Sequence, residues 1–146
     1  MRKVIKKAVA IAVVCTIIAG SSNILVTAED SYASVPYRYD SPADGRYKET
    51  TPRQKFTTSK VYCTAGYGGA SQVMVRGANG KKSLANCSVT VTVPYLTSCA
   101  IRNTVRESNY NYAVLRASTP LNASYTTTAG HWSPDCHVKD SYTILG

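Results

Sequence analysis

The chain has 146 residues, with 17 Lys and Arg against 8 Asp and Glu and a formal net charge of +9. That length suits one domain with a short appendage, and no stretch reaches the ~20 consecutive apolar residues of a membrane-spanning helix. The positive balance comes without a basic recognition helix or a nucleic-acid motif, which sets nucleic acid aside as a partner class.

The chain opens with a cationic stretch, Met1-Arg2-Lys3 and Lys6-Lys7, followed by an apolar run from Ala8 to Gly20. Small and polar residues then lead to Val26-Thr27-Ala28, with Val26 and Ala28 at the −3 and −1 positions of a cleavage site. That order predicts a secretory signal peptide over residues 1–28. Lipoprotein processing at Cys15 fits less well, because Val13-Val14 precede the cysteine and the apolar run continues past it. The short Lys-rich leader resembles those of bacterial exported proteins. The expected product is secreted, with no membrane span in its mature form. The leader carries four of the 17 basic residues and none of the 8 acidic ones, which leaves the remaining 118 residues at +5.

Residues 29–55 are rich in Ser, Thr, Pro and charge, and Val35 is their only aliphatic residue larger than alanine. Such a segment buries little apolar surface against its ordering entropy, which predicts a flexible polar arm. Its tyrosines, Tyr32, Tyr37, Tyr39 and Tyr47, allow the alternative of a first strand laid along the domain.

From residue 56 to 146 the pattern is that of strands and turns. Thr57–Thr64 is β-branched and roughly alternating, Ser71–Arg76 is again extended, and Asn79-Gly80 is a strong hairpin signal. Cys87, Val89, Val91 and Val93 alternate with Ser88, Thr90 and Thr92, which predicts one half-buried strand ending at Pro94. Leu96–Val105 is ambiguous, with Leu96, Cys99, Ala100 and Asn103 on one face of a possible short helix. Tyr110–Ala117 alternates, Ser124–Thr128 and Val138–Leu145 add strands, and turns are expected at Ser118–Pro120 and Gly130–Pro134. The fold class expected is all-β, a small antiparallel sandwich or barrel stapled by disulfides and preceded by a flexible N-terminal arm.

Cys63, Cys87, Cys99 and Cys136 remain after the leader. An even number of cysteines in a small exported chain predicts two disulfides, with three connectivities open. A thiolate metal site would call for paired C-x-x-C knuckles, and none is present. No cofactor is expected.

The densest cluster of reactive side chains is Gly130-His131-Trp132-Ser133-Pro134-Asp135-Cys136-His137. It reads chiefly as a turn with Trp132 packed on the sheet and Cys136 anchoring a disulfide. The alternative is a metal-dependent hydrolase built on His131, Asp135 and His137, since imidazole and carboxylate suit zinc. Acid–base catalysis has little material, because Glu107, Asp135 and Asp140 are the only acidic residues after the arm. Gly-x-Ser-x-Gly is also absent.

Tyrosine stands out, with eleven against one Phe and one Trp. Tyrosine on strands can stack on sugars or anchor an interface. The expected function is non-enzymatic binding of a protein or cell-envelope polymer through sheet faces bearing tyrosine and arginine. The expected contact residues are Tyr110, Tyr112 and Arg116 on one strand face, with Arg102 and Arg106 nearby. A bacteriocin-like antagonist is the remaining alternative, suggested by size, export and charge. Against it, the chain has no long cationic amphipathic helix.

Overall fold

The computed structural model describes residues 32–146; the expected signal peptide, Cys15 and residues 29–31 lie outside it. The described residues contain eleven strands and no helix. They are β1 (Val35–Asp40), β2 (Lys48–Glu49), β3 (Arg53–Gln54), β4 (Val61–Thr64), β5 (Ser71–Ala78), β6 (Ser83–Asn86), β7 (Val91–Val93), β8 (Ser98–Ile101), β9 (Tyr112–Ser118), β10 (Thr127–Ser133) and β11 (Thr143–Leu145). The all-β expectation therefore holds.

One sheet has the order β1-β10-β4-β8-β11, antiparallel except where β11 lies parallel to β8. The other has the order β2-β9-β5-β6, with β3 also on β9 and β7 also on β5. β2 and β3 run one after the other along the same edge of β9, and Pro52 falls in the gap between them. Proline has no N–H for a ladder, so a break there follows from its chemistry. A single core cluster draws Tyr37, Tyr39, Val61, Cys63, Cys99, Ile101 and Trp132 from the first sheet and Val73, Val75, Val93, Ala113, Leu115 and Ala117 from the second. The two sheets thus share one interior.

The segment expected to be a flexible arm is laid into both sheets. β1 pairs with β10 over six residues, from Val35 opposite Trp132 to Asp40 opposite Thr127. Counting aliphatic residues missed the apolar area of Tyr37 and Tyr39, which are 5% and 3% exposed. Each ring ends in a satisfied hydroxyl. Tyr37 donates to the Thr64 carbonyl at 2.9 Å and lies 2.7 Å from the Ser71 hydroxyl, and Tyr39 donates to the Gly45 carbonyl at 2.5 Å.

The end of this segment is fastened by a buried ion pair. Lys55 Nζ lies 3.0 Å from Asp135 Oδ1, and both side chains are 0% exposed. The ammonium also donates to the Ser59 and Pro134 carbonyls, each at 2.6 Å. Asp135 accepts from the Phe56 and Thr57 N–H groups and from the Thr57 and Ser59 hydroxyls. Burial alone would raise the Asp135 carboxyl, but the Thr57 hydroxyl, the Phe56 N–H and Lys55 together bring it down to about 2. Burial pushes the Lys55 ammonium down, and Asp135 restores only part of that shift.

Three local expectations are corrected. The alternating run from Cys87 is not one strand, because Cys87 and Ser88 both donate their N–H to the Val75 carbonyl while Ser88 Oγ accepts the Val75 N–H. Two residues facing one make a bulge. Beyond it Val89 is 65% exposed, and regular pairing resumes at Val91. The possible helix at Leu96–Val105 is strand β8, entered through Leu96 at φ 57°, outside right-handed helix space. The turn expected at Gly130–Pro134 is mostly strand, since Gly130 to Ser133 belong to β10. Gly130 is in mid-strand because a Cβ there would fall on the Thr64 carbonyl and press on the Tyr37 ring.

Two predictions follow from this packing. Gly130→Ala is expected to destabilise by about 2 kcal/mol or more, since the clash is with backbone and overpacking costs of that order are usual. Gly66→Ala, with open space around its Cβ, is expected to stay within about 0.5 kcal/mol; urea melts of the two variants check the contrast. Asp135→Asn leaves Lys55 buried without its counter-charge and is expected to cost about 3–5 kcal/mol at neutral pH. Because the folded value of this carboxyl lies below the ordinary 3.8, its contribution is complete above pH ~5 and is lost as the pH falls toward 2. Melts between pH 7 and pH 2 are expected to show that acid loss in the wild type and to show it reduced in the variant.

Candidate binding site

The structure does not gather the residues expected to form the contact face. Tyr112 begins β9 and shares its outward face with Arg116, but Tyr110 precedes the strand and packs against the core. The Tyr110 ring and Cys87 Sγ occupy the space that a side chain at residue 77 would need, and Gly77 supplies the room. Arg102 donates to the Gly146 carbonyl at 2.8 Å, and Arg106 bonds Asn111 Oδ1 at 2.5 Å. Arg116 is engaged twice: Nε and Nη2 reach Glu49 Oε1 at 3.0 and 2.7 Å, and its Cζ lies 3.8 Å from the Tyr47 ring centroid.

Nor are His131, Asp135 and His137 brought together as ligands. His131 is exposed on β10 opposite Pro36, whereas His137 is exposed and stacked on Tyr32 at 4.2 Å with 1° between the rings. Asp135 is fully occupied by Lys55 and the 56–59 turn. Among the described residues no group of three His, Cys, Asp or Glu side chains is placed to hold a metal ion. The four described cysteines are all buried thiols. The structure shows no bond between any two of them, so the stapling expected from the sequence is not shown.

What the fold does build is a cleft of about 430 Å³ between β1 in one sheet and β2–β3 in the other. Val35, Tyr37, Ala117 and Trp132 give it apolar walls, and Arg38, Lys48, Glu49 and Arg53 give it charge. The Trp132 ring is 0% exposed, and its Nε1 is the one buried side-chain nitrogen or oxygen among the described residues that has no hydrogen-bond partner. A buried donor left unmade costs of the order of 1–3 kcal/mol. Trp132 is among the residues that line the cleft, with its ring fully covered. Arg53 stands over the indole with its Cζ 5.9 Å from the ring centroid and donates through Nη1 to the Ala33 carbonyl at 2.7 Å.

Glu49 organises the second wall. It accepts from Arg116, lies 3.1 Å from Arg76 Nε, and takes the Ser83 hydroxyl at 2.7 Å. Burial would raise this carboxyl, and the Ser83 hydroxyl with the two arginines lowers it overall. On the other side of β1 a hollow of about 470 Å³ is lined by Gly66, Tyr67, Ala129, Gly130 and His131. It shares Pro36, Tyr37 and Arg38 with the cleft, and the Arg38 Cζ lies 5.5 Å from the centroid of the Tyr67 ring.

The residues of this edge lie apart from the strand face of Tyr110, Tyr112 and Arg116 on which contact was expected. The signal was present in Val35-Pro36-Tyr37-Arg38-Tyr39-Asp40, an alternation of inward Val and Tyr with outward Arg and Asp.

No curated protein and no solved structure matches the chain. Residues 23–136 match the family described as "Protein of unknown function (DUF2712)". That match spans most of the chain, including every strand from β1 to β10, and the chain belongs to this family.

Proposed function

We propose that the chain is an exported, non-enzymatic binding protein whose ligand is an anionic, acceptor-rich polymer of the cell envelope, held across β1. The observation that carries this reading is the cleft between the two sheets, edged by Arg38, Lys48 and Arg53 and backed by the buried Trp132 ring. A donor set of this kind favours phosphate, carboxylate or carbonyl oxygens. A polymer is favoured over a small molecule because two separate hollows lie side by side, with Pro36, Tyr37 and Arg38 lining both. The exposed Tyr67 ring beside Arg38 offers a stacking surface of the kind sugars use. Export rests on the leader at residues 1–28, and in an oxidising compartment the buried thiols are expected to close disulfides.

The test is cosedimentation of the exported protein with bacterial cell-wall sacculi, either carrying their anionic polymers or stripped of them by acid. Binding is expected to need the polymers and to weaken with added salt. Arg38→Ala and Arg53→Ala are each expected to weaken it about tenfold, near the worth of one charge-assisted hydrogen bond, with the fold checked by circular dichroism. Equal binding to stripped sacculi, or no change in either variant, would remove the proposal.

A further inference from the structure

We propose that Cys63 and Cys99 form a cross-strand disulfide in the exported protein, joining β4 to β8 inside the first sheet. In the antiparallel pairing of β4 with β8, Cys63 stands directly opposite Cys99, flanked by Val61 opposite Ile101 and Thr64 opposite Ser98. Directly opposed residues of an antiparallel pair have Cα atoms about 4.5 or 5.5 Å apart, depending on whether they form a hydrogen-bonded pair. Both spacings lie within the ~4.4–6.8 Å that a disulfide spans. The pleat puts opposed side chains on the same face, and here that face is the interior. Val61, Cys63, Cys99 and Ile101 are all 0% exposed and belong to the core cluster.

The other two cysteines have no comparable placement. Cys87 lies at the bulge of the second sheet, with its N–H on the Val75 carbonyl and its Sγ beside Gly77. Cys136 follows β10, with its N–H on Ser59 Oγ. Neither stands opposite a cysteine in any strand pairing. Of the three connectivities that the sequence leaves open, the register selects the one containing Cys63–Cys99.

The chemistry is a thiol–disulfide exchange with a disulfide-bearing oxidant, either a protein or a small molecule. The Cys63 thiolate attacks the oxidant's S–S bond and expels one thiolate. The Cys99 thiolate then attacks the mixed disulfide and expels the second, forming Cys63–Cys99. Two protein thiols lose two electrons and two protons, and the oxidant leaves as two thiols. Burial pushes the Cys63 thiol up to about 12. A thiol so held forms little thiolate, which places the exchange before the sheets close over the pair.

Peptide mapping of the exported protein tests the proposal, with free thiols first blocked by iodoacetamide and no reductant added. Trypsin alone leaves Cys87 and Cys99 together on the peptide from Ser83 to Arg102, so chymotrypsin is added to cut after Tyr95. The expected product joins the Cys63 peptide to the Cys99 peptide, with or without a second link between Cys87 and Cys136. Alkylated Cys63 or Cys99, or a link from either to Cys87 or Cys136, overturns it. Thermal melts provide a second reading. Cys63→Ala, Cys99→Ala and the double variant are expected to fall together, each roughly 10 °C or more below the wild type. Losses that add from the single variants to the double would mean that the two thiols act separately.

Discussion

The ion pair between Lys55 and Asp135 ties the two halves of this fold together across 80 positions of sequence. Moving two charges out of water is costly, and an ion pair so buried is weak evidence of net stability unless every remaining donor and acceptor is matched. Here they are matched. The ammonium has three oxygen partners, and the carboxylate accepts from two backbone amides and two hydroxyls as well as from the lysine. A site this exacting tolerates one arrangement of the chain. It holds the turn at residues 55–59 against the end of β10 and so fixes where β3 leaves the second sheet.

The cleft follows from that constraint. The N-terminal segment pairs with β10 as β1, crosses from one sheet to the other, and pairs with β9 as β2 and β3 before it is clasped at Lys55. A crossing segment cannot close the space beneath it as a continuous strand would. Trp132, on β10 opposite Val35, helps fill that space with its large ring. The ring gains the area of full burial while its N–H goes without an acceptor.

How far the fold could be read from the sequence depended on whether the determining contacts were local. Alternation identified β5 and β9, the Asn79-Gly80 signal lies between β5 and β6, and Val91 to Val93 keep their expected faces. The failures had nonlocal causes. The bulge at Cys87 and Ser88 exists because both address Val75, and the alternating residues give no sign of it. Gly130 looked like a turn residue, whereas its role is to let the Thr64 carbonyl and the Tyr37 ring come close in mid-strand. The arm looked flexible because it holds a single large aliphatic residue, Val35, although two of its tyrosine rings are core. The site was less legible still. The shortest arginine–tyrosine ring contact among the described residues is Arg116 with Tyr47, which joins β9 to the segment that composition had set apart.

The charged side chains around the cleft differ in how firmly they are held. Glu49 is locked by two arginines and a serine in a half-buried network, so a ligand gains little by competing for it. Arg38 and Lys48 are about half exposed and pair with Asp40 and Asp44 in water-accessible geometry. Exposed pairs of this type are worth about 0–1 kcal/mol, so an incoming anion can replace the internal carboxylate at little cost. The Glu49 network therefore keeps its shape while Arg38 on β1 and Lys48 beside Glu49 on β2 can turn their charges toward a ligand. A rigid network and exchangeable cations suit a repeating, flexible anion better than one small molecule of fixed shape, because each successive charge can be met by a small side-chain movement instead of a rebuilt pocket.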